Sequence, residues 1–306
     1  MTTSFLARGR RVEVPGVALM AIVNASPESF SGDGRVAPVE QAAQAAAAWD
    51  AGALLVDVGG QSANTRTPEL AVEEETARLV PLIEAIRADH AGLISVDTYK
   101  PAVADACLAA GADVINDVSG LLDPALAEVV ARWQAGYVLM HTVGPPKSKV
   151  LDPHLYTDVV ADVQAFFEQR LEQLAAAGVA EDQVVLDPGL DFGKTPRQSL
   201  EVVARAAELR AATDRPLLFA ISRKDFIGAI AQAGPRERDP GTLATVGALA
   251  ASAPGSILRV HDVAAAVQYL AVRAHIEDPS RLAVDARLKD GLRRVADAPR
   301  PGGAAS

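Results

Sequence analysis

One pattern constrains this chain above all others: a short, largely apolar run followed by an Ala- and Leu-rich stretch of helical period, repeated eight times. The runs fall at 18–26, 54–60, 92–98, 114–120, 136–142, 183–189, 216–222 and 256–262, and most end in polar residues or glycine, as in LLVDVGG and GLISVDT. Helices are predicted at 38–51, 72–89, 100–110, 123–134, 157–177, 197–212 and 263–276, with a short helix, a loop and a second helix across 224–253. Strands that are apolar on both faces belong in a parallel sheet sheathed by helices. Eight such strands, each followed by helix, close a barrel. The expected fold is therefore α/β, a single-domain (β/α)8 TIM barrel over 18–276, with an N-terminal lead-in at 1–17 and a tail at 277–306. An open doubly wound sheet fits less well, because no G-x-G-x-x-G follows the first run. The tail ends in PRPGGAAS, a composition expected to leave it partly flexible.

Charge and cysteine content narrow the function. The formal net charge is -10 and the Lys and Arg residues are scattered, so the dense positive patch that nucleic acid or an anionic membrane needs is missing. The lone Cys107 allows neither an internal disulfide nor a four-sulfur metal site; it reads as a small buried residue in a reducing, cytoplasmic setting. Arg8, Arg10 and Arg11 are followed by Glu13, Pro15 and Gly16, and the next apolar run is too short for a signal core or a membrane span. No targeting segment is read. With five His and no H-E-x-x-H pattern, a zinc site has no support, and without G-x-S-x-G neither has serine hydrolysis. GLDFGKT at 189–195 falls one residue short of a phosphate loop, because Pro188 stands where the first Gly belongs.

In a barrel of this kind, polar residues at strand C-termini form the site. Those positions carry Asn24, Asp57, Asp97, Asn116, Asp117, His141, Asp187, Ser222, Arg223, Lys224, Arg259 and His261. A lone Asp after a strand often only caps the next helix, but so many converging on one face are hard to explain as caps. Asp97, Asn116, Asp187 and Lys224 offer acceptors, donors and one cation, a set suited to gripping the edge of a flat ring with alternating N–H and C=O groups. Arg259 and His261 are two apart on a strand, point the same way, and suit an oxyanion or phosphate clamp. Asn24 can ligate a hard cation such as Mg2+ through its amide oxygen. His141 reads as a packing or hydrogen-bonding residue, and Trp49 and Trp133 as core or interface residues.

The ordered motifs MAIVNASPESFSGDG (20–34), DVGGQS (57–62), SVDTYK (95–100), INDVSG (115–120), MHTVGPPK (140–147), LDPGLDFGKT (186–195), ISRKDFIG (221–228) and RVHDV (259–263) resemble the dihydropteroate synthase family across roughly 18–276. The resemblance implies a transferase of folate biosynthesis that joins a pterin-CH2-diphosphate to p-aminobenzoate, releasing diphosphate and giving dihydropteroate. It implies that Asp97, Asn116, Asp187 and Lys224 bind the pterin, and that Asn24 with Mg2+, Arg259 and His261 hold the diphosphate. Lys224, Arg259 and His261 are the implied catalytic groups, Phe192 packs the acceptor ring, and two loops close over the site. It further implies a homodimer through helices near the chain's end.

The departures from the family pattern cluster. Glu28 replaces an Asp in the first loop, and Gly32-Asp33-Gly34 shifts the next one. In the second loop Ala63 and Asn64 stand where the diphosphate-binding Thr and Arg are expected, leaving Thr65 and Arg66 as the residues for that task. Asp191 replaces a Gly, and Asp225 replaces a Ser near the expected acceptor carboxylate; Asp225 either faces that carboxylate or caps the next helix. Two other functions therefore stay open: a paralogue that keeps the pterin but uses another acceptor or none, and a folate-binding methyl-transfer module. The second has no use for an anion clamp at Arg259 and His261.

Overall fold

A computed structural model describes residues 2–24, 38–61, 68–289 and 292. The chain opens with an antiparallel hairpin, β1 (Thr2–Ala7) and β2 (Arg10–Pro15). Its two-residue turn has Arg8 at φ 51 and Gly9 at φ 72, the left-handed pair that matches strand twist in a tight hairpin. Eight parallel strands follow: β3 (Val17–Asn24), β4 (Leu55–Gly59), β5 (Leu93–Asp97), β6 (Val114–Asp117), β7 (Gly136–Met140), β8 (Val184–Asp187), β9 (Leu217–Ala220) and β10 (Ser256–Val260). They close in chain order, with β10 pairing back onto β3. Each expected strand is present, and the seven from β4 to β10 stop one to three residues before the expected end, where the chain turns into loop.

The helices are α1 (Pro38–Asp50), α2 (Val72–Asp89), α3 (Pro101–Ala109), α4 (Ala125–Trp133), α5 (Val159–Ala176), α6 (Pro196–Ala204), α7 (Ala206–Ala211), α8 (Asp225–Ala231), α9 (Asp239–Ser252) and α10 (Val263–Glu277). The single helix expected over 197–212 breaks at Arg205, whose guanidinium turns to Asp158 and Glu208. Two cores result. The larger lies between strands and helices; the smaller fills the barrel's lower end, where Met20, Leu55, Leu93, Val114 and Ile257 meet Phe5, Ala7, Val12 and Val14 of the hairpin. The lead-in is thus a plug over the strand N-termini. Thr3 Oγ1 donates to the Gly255 carbonyl at 2.7 Å, and the Arg8 guanidinium to those of Leu108 and Ala112 at 2.7 and 3.1 Å. With that end sealed, the strand C-termini are the open face.

Candidate active site

Alternation along the strands decides which strand-end residues reach the centre. On β4, Val56 and Val58 pack outward against helices while Leu55 and Asp57 face inward. The same parity brings Asn24, Asp97, Asn116, Asp187, Arg259 and His261 to a cavity of about 560 Å³ at the C-terminal mouth. Lys224, Phe192, Asp191 and Asp225 line it from the loops after β8 and β9, and Lys149 from the loop after β7. The opposite parity turns Asp117 and His141 into the helix layer.

Asp57 ties the floor of the cavity together. It is fully buried and accepts from Ser95 Oγ at 2.6 Å, Asn116 Nδ2 at 3.0 Å and Arg259 Nε at 2.7 Å. The bond to Asp57 orients the Asn116 amide with its NH2 inward. Arg259 Nη2 also reaches Asp97 Oδ2 at 3.2 Å. Burial works against the Arg259 charge, but Asp57 and Asp97 hold its pKa above the ordinary value. Burial pushes Asp97 up to about 7, with Arg259 opposing and Asp57 adding to the rise. Asp187 is raised to about 6 by burial, opposed by the Gly189 N–H and Lys224. Burial likewise lowers the pKa of Lys224, whose ammonium donates to the Leu190 carbonyl at 2.7 Å and lies 5.0 Å over the Phe192 ring. Acids poised near neutrality, with an amide and a lysine, suit the N–H and C=O edge of a ring.

At the rim, His261 Nδ1 lies 2.7 Å from Ser222 Oγ. Crowding of its ring by protein, and then the Arg223 and Arg259 charges, push its pKa down to about 4. That shift favours the neutral imidazole so long as no anion is bound, and either form can donate a hydrogen bond to an anion. Arg223 is not where strand-end reasoning put it: with φ 60 its side chain turns away to Asp239, at 2.8 and 3.0 Å. Asp225 faces the cavity and is matched by Lys149 at 2.6 Å and Arg238 at 3.1 Å, and these two cations keep its pKa low.

Residues 20–261 match the family described as pterin binding enzyme. This chain belongs to the dihydropteroate synthase family of pterin-binding enzymes. The Escherichia coli K12 dihydropteroate synthase is 37% identical over 267 residues, covering 87% of this chain and 94% of that protein. A Mycobacterium tuberculosis relative named inactive dihydropteroate synthase 2 is 40% identical over 277 residues, covering 88% and 86%. The solved structure of Xanthomonas albilineans dihydropteroate synthase with 4-aminobenzoic acid superposes with a TM-score of 0.82 at 35% identity, covering 91% of this chain and 99% of that one.

Against that family the structure brings together the four ring-side residues, Asn24, Arg259, His261, Phe192 and Asp225 in one cavity. Thr65 and Arg66, with Glu28 and the rest of the first loop, lie outside the described residues. His141 is buried and hydrogen-bonded within the protein, and Cys107 is buried with its thiol pushed up to about 12. Trp133 packs against the core and donates to Asp105. Asp57 was visible only as one strand-end acid among several; its pairing with Arg259 spans 202 residues and leaves no local signal. Lys194, hidden in the broken phosphate-loop pattern, is 1% exposed and donates to His141 Nδ1 at 2.7 Å and to the carbonyls of Gly189 and Phe192 at 3.1 and 3.2 Å. Burial lowers its pKa to about 7. Gly189 allows that loop to close: at φ 67, an added Cβ would stand 1.9 Å from the His141 carbonyl oxygen.

Proposed function

We propose that this chain is a dihydropteroate synthase, joining a pterin-CH2-diphosphate to p-aminobenzoate with loss of diphosphate. The observation that carries the reading is the single cavity in which ring-edge residues and anion-binding residues stand side by side. Asp97, Asn116, Asp187 and Lys224 would take the ring edge, with the raised acid pKa values letting the carboxyls share protons with ring N–H groups. Arg259 would bridge the two halves, held by Asp57 and Asp97 while its guanidinium meets the diphosphate. Anion stabilisation there lowers the barrier to leaving-group departure, because charge builds on the diphosphate as the C–O bond breaks. The amine nitrogen then bonds to the CH2 carbon and gives up a proton.

Mg2+ belongs in this reading as a companion of the diphosphate. Asn24 offers one neutral oxygen, and among the described residues no group of three or more His, Cys, Asp or Glu could hold a metal. That donor set fits an ion carried mainly by phosphate oxygens and water, whose charge would offset that of the diphosphate. Homodimer formation is supported by Val272 and Ile276, one turn apart on α10 and 53% and 75% exposed. Among the described residues no helix is long and apolar enough to cross a membrane. A cytoplasmic setting is our reading from the lone buried Cys107. Incubation with the pterin diphosphate, Mg2+ and p-aminobenzoate, followed by mass spectrometry, tests the proposal. Dihydropteroate and diphosphate appearing in equal amounts support it; consumption of neither substrate contradicts it.

A further inference from the structure

We infer that Asp191 sets the charge the acceptor can carry, and that the acceptor half of the cavity favours an uncharged aromatic amine over an anionic one. This rests on the transferase reading above. The ring-side groups lie at the strand ends, so the second substrate enters from the rim, along the wall formed by the loops after β7, β8 and β9. Phe192 gives that wall an aromatic face, with the Lys224 ammonium 5.0 Å from its ring centre. An aromatic amine stacked there, its nitrogen toward the ring pocket, turns its far substituent toward Asp191, Asp225 and Lys149.

The polar groups at that end are already matched to one another. Asp191 Oδ2 takes the backbone N–H of Asp225 at 2.8 Å, so that donor is already occupied. Lys149 Nζ is held by Asp225 Oδ2 at 2.6 Å, and Arg238 Nη1 by Asp225 Oδ1 at 3.1 Å. An acceptor carboxylate would therefore meet two carboxylates, with Lys149 and Arg238 held by Asp225 and Lys224 donating to the Leu190 carbonyl; a neutral substituent would meet no such repulsion. Asp191 holds its place against backbone strain. Its φ is 69, in the left-handed region that favours glycine and that Asp tolerates better than most residues. Its own N–H donates to Ser199 Oγ at 3.0 Å, and that hydroxyl donates back to Asp191 Oδ1 at 3.3 Å. A side chain kept in a strained conformation and fixed at both oxygens reads as a built feature of the site.

The test compares KM for p-aminobenzoate with KM for 4-aminobenzamide, an uncharged analogue of the same shape, on the full chain saturated with pterin diphosphate. In the unmodified protein the acid has the higher KM. Asp191→Gly relieves the backbone and frees the Asp225 N–H; it lowers the acid's KM about tenfold relative to the amide's, equivalent to ~1.4 kcal/mol. Asp191→Asn keeps the turn and the bond while removing the charge, and falls between. A lower KM for the acid than for the amide in the unmodified protein, or equal changes for both amines in Asp191→Gly, would overturn the inference. If the pterin diphosphate binds but neither amine reacts, the same ratios are read from dissociation constants on the pterin-loaded protein, so specificity is decided without turnover. If the pterin diphosphate does not bind, the transferase reading fails and this inference fails with it.

Discussion

Lys194 brings an amine into the interior, where its hydrogen-bond partners are one imidazole and two carbonyls. Charging it there is unfavourable, and burial holds its pKa near 7 against 10.5 for a free lysine. Below pH 7 both folded and unfolded states carry the proton and the cost of the buried charge is fully present. As pH rises from about 7 toward 10.5, the folded state sheds the proton before the unfolded state does, and stability is regained. Denaturant unfolding of the unmodified protein and of Lys194→Met, at pH 7 and pH 9, isolates this effect. The difference is expected to move in favour of lysine by about 2 kcal/mol over that interval. A pH-independent difference would mean that the amine keeps its proton in the folded state across this interval, its pKa not lowered by burial. The residue escaped sequence reading because its surroundings mimic a phosphate loop, while its real partner, His141, is 53 positions away.

At the level of elements, the barrel was legible because eight apolar runs in helical company admit few other arrangements. Side-chain parity was legible too, but only in part applied. Counting by twos from Leu55 or Leu93 puts Asp57 and Asp97 inward, and from Val138 it puts His141 outward, as the structure has them. Parity says nothing of Arg223 and Lys224, which follow β9 in a turn whose left-handed φ at Arg223 swings it away. The hairpin was missed for a different reason. A short, charged two-stranded unit lacks the apolar runs that mark barrel strands, and its role emerges only when Phe5 and Val14 meet the strand N-termini. Phe5 is 1% exposed, so Phe5→Ala is expected to cost about 3–5 kcal/mol of stability by opening a void in the plug. Pterin affinity of the folded variant should be unchanged, since the plug and the site occupy opposite ends of the barrel. Equal loss of folding and of affinity, measured by denaturation and calorimetry, would show the two ends to be coupled.

Across the whole molecule the design separates support from chemistry: a sealed lower end, a helix-packed wall, and one open mouth where the acids are raised by burial. On that arrangement rests the proposed placing of a ring pocket, an anion clamp and an acceptor wall at Asp191 and Asp225 in one cavity. The central claim is that the pocket grips a pterin by its edge. Calorimetric titration of the pterin diphosphate with Mg2+ tests it most directly, on the unmodified protein and on Asp97→Asn. One pterin is expected per chain, with affinity falling as pH drops below about 7, where Asp97 takes up a proton and can no longer accept from the ring through both oxygens. In Asp97→Asn affinity is expected to fall about 10- to 100-fold, the effect of leaving a buried ring donor unpaired. Absence of binding, or an affinity that neither the substitution nor the pH alters, would contradict the account.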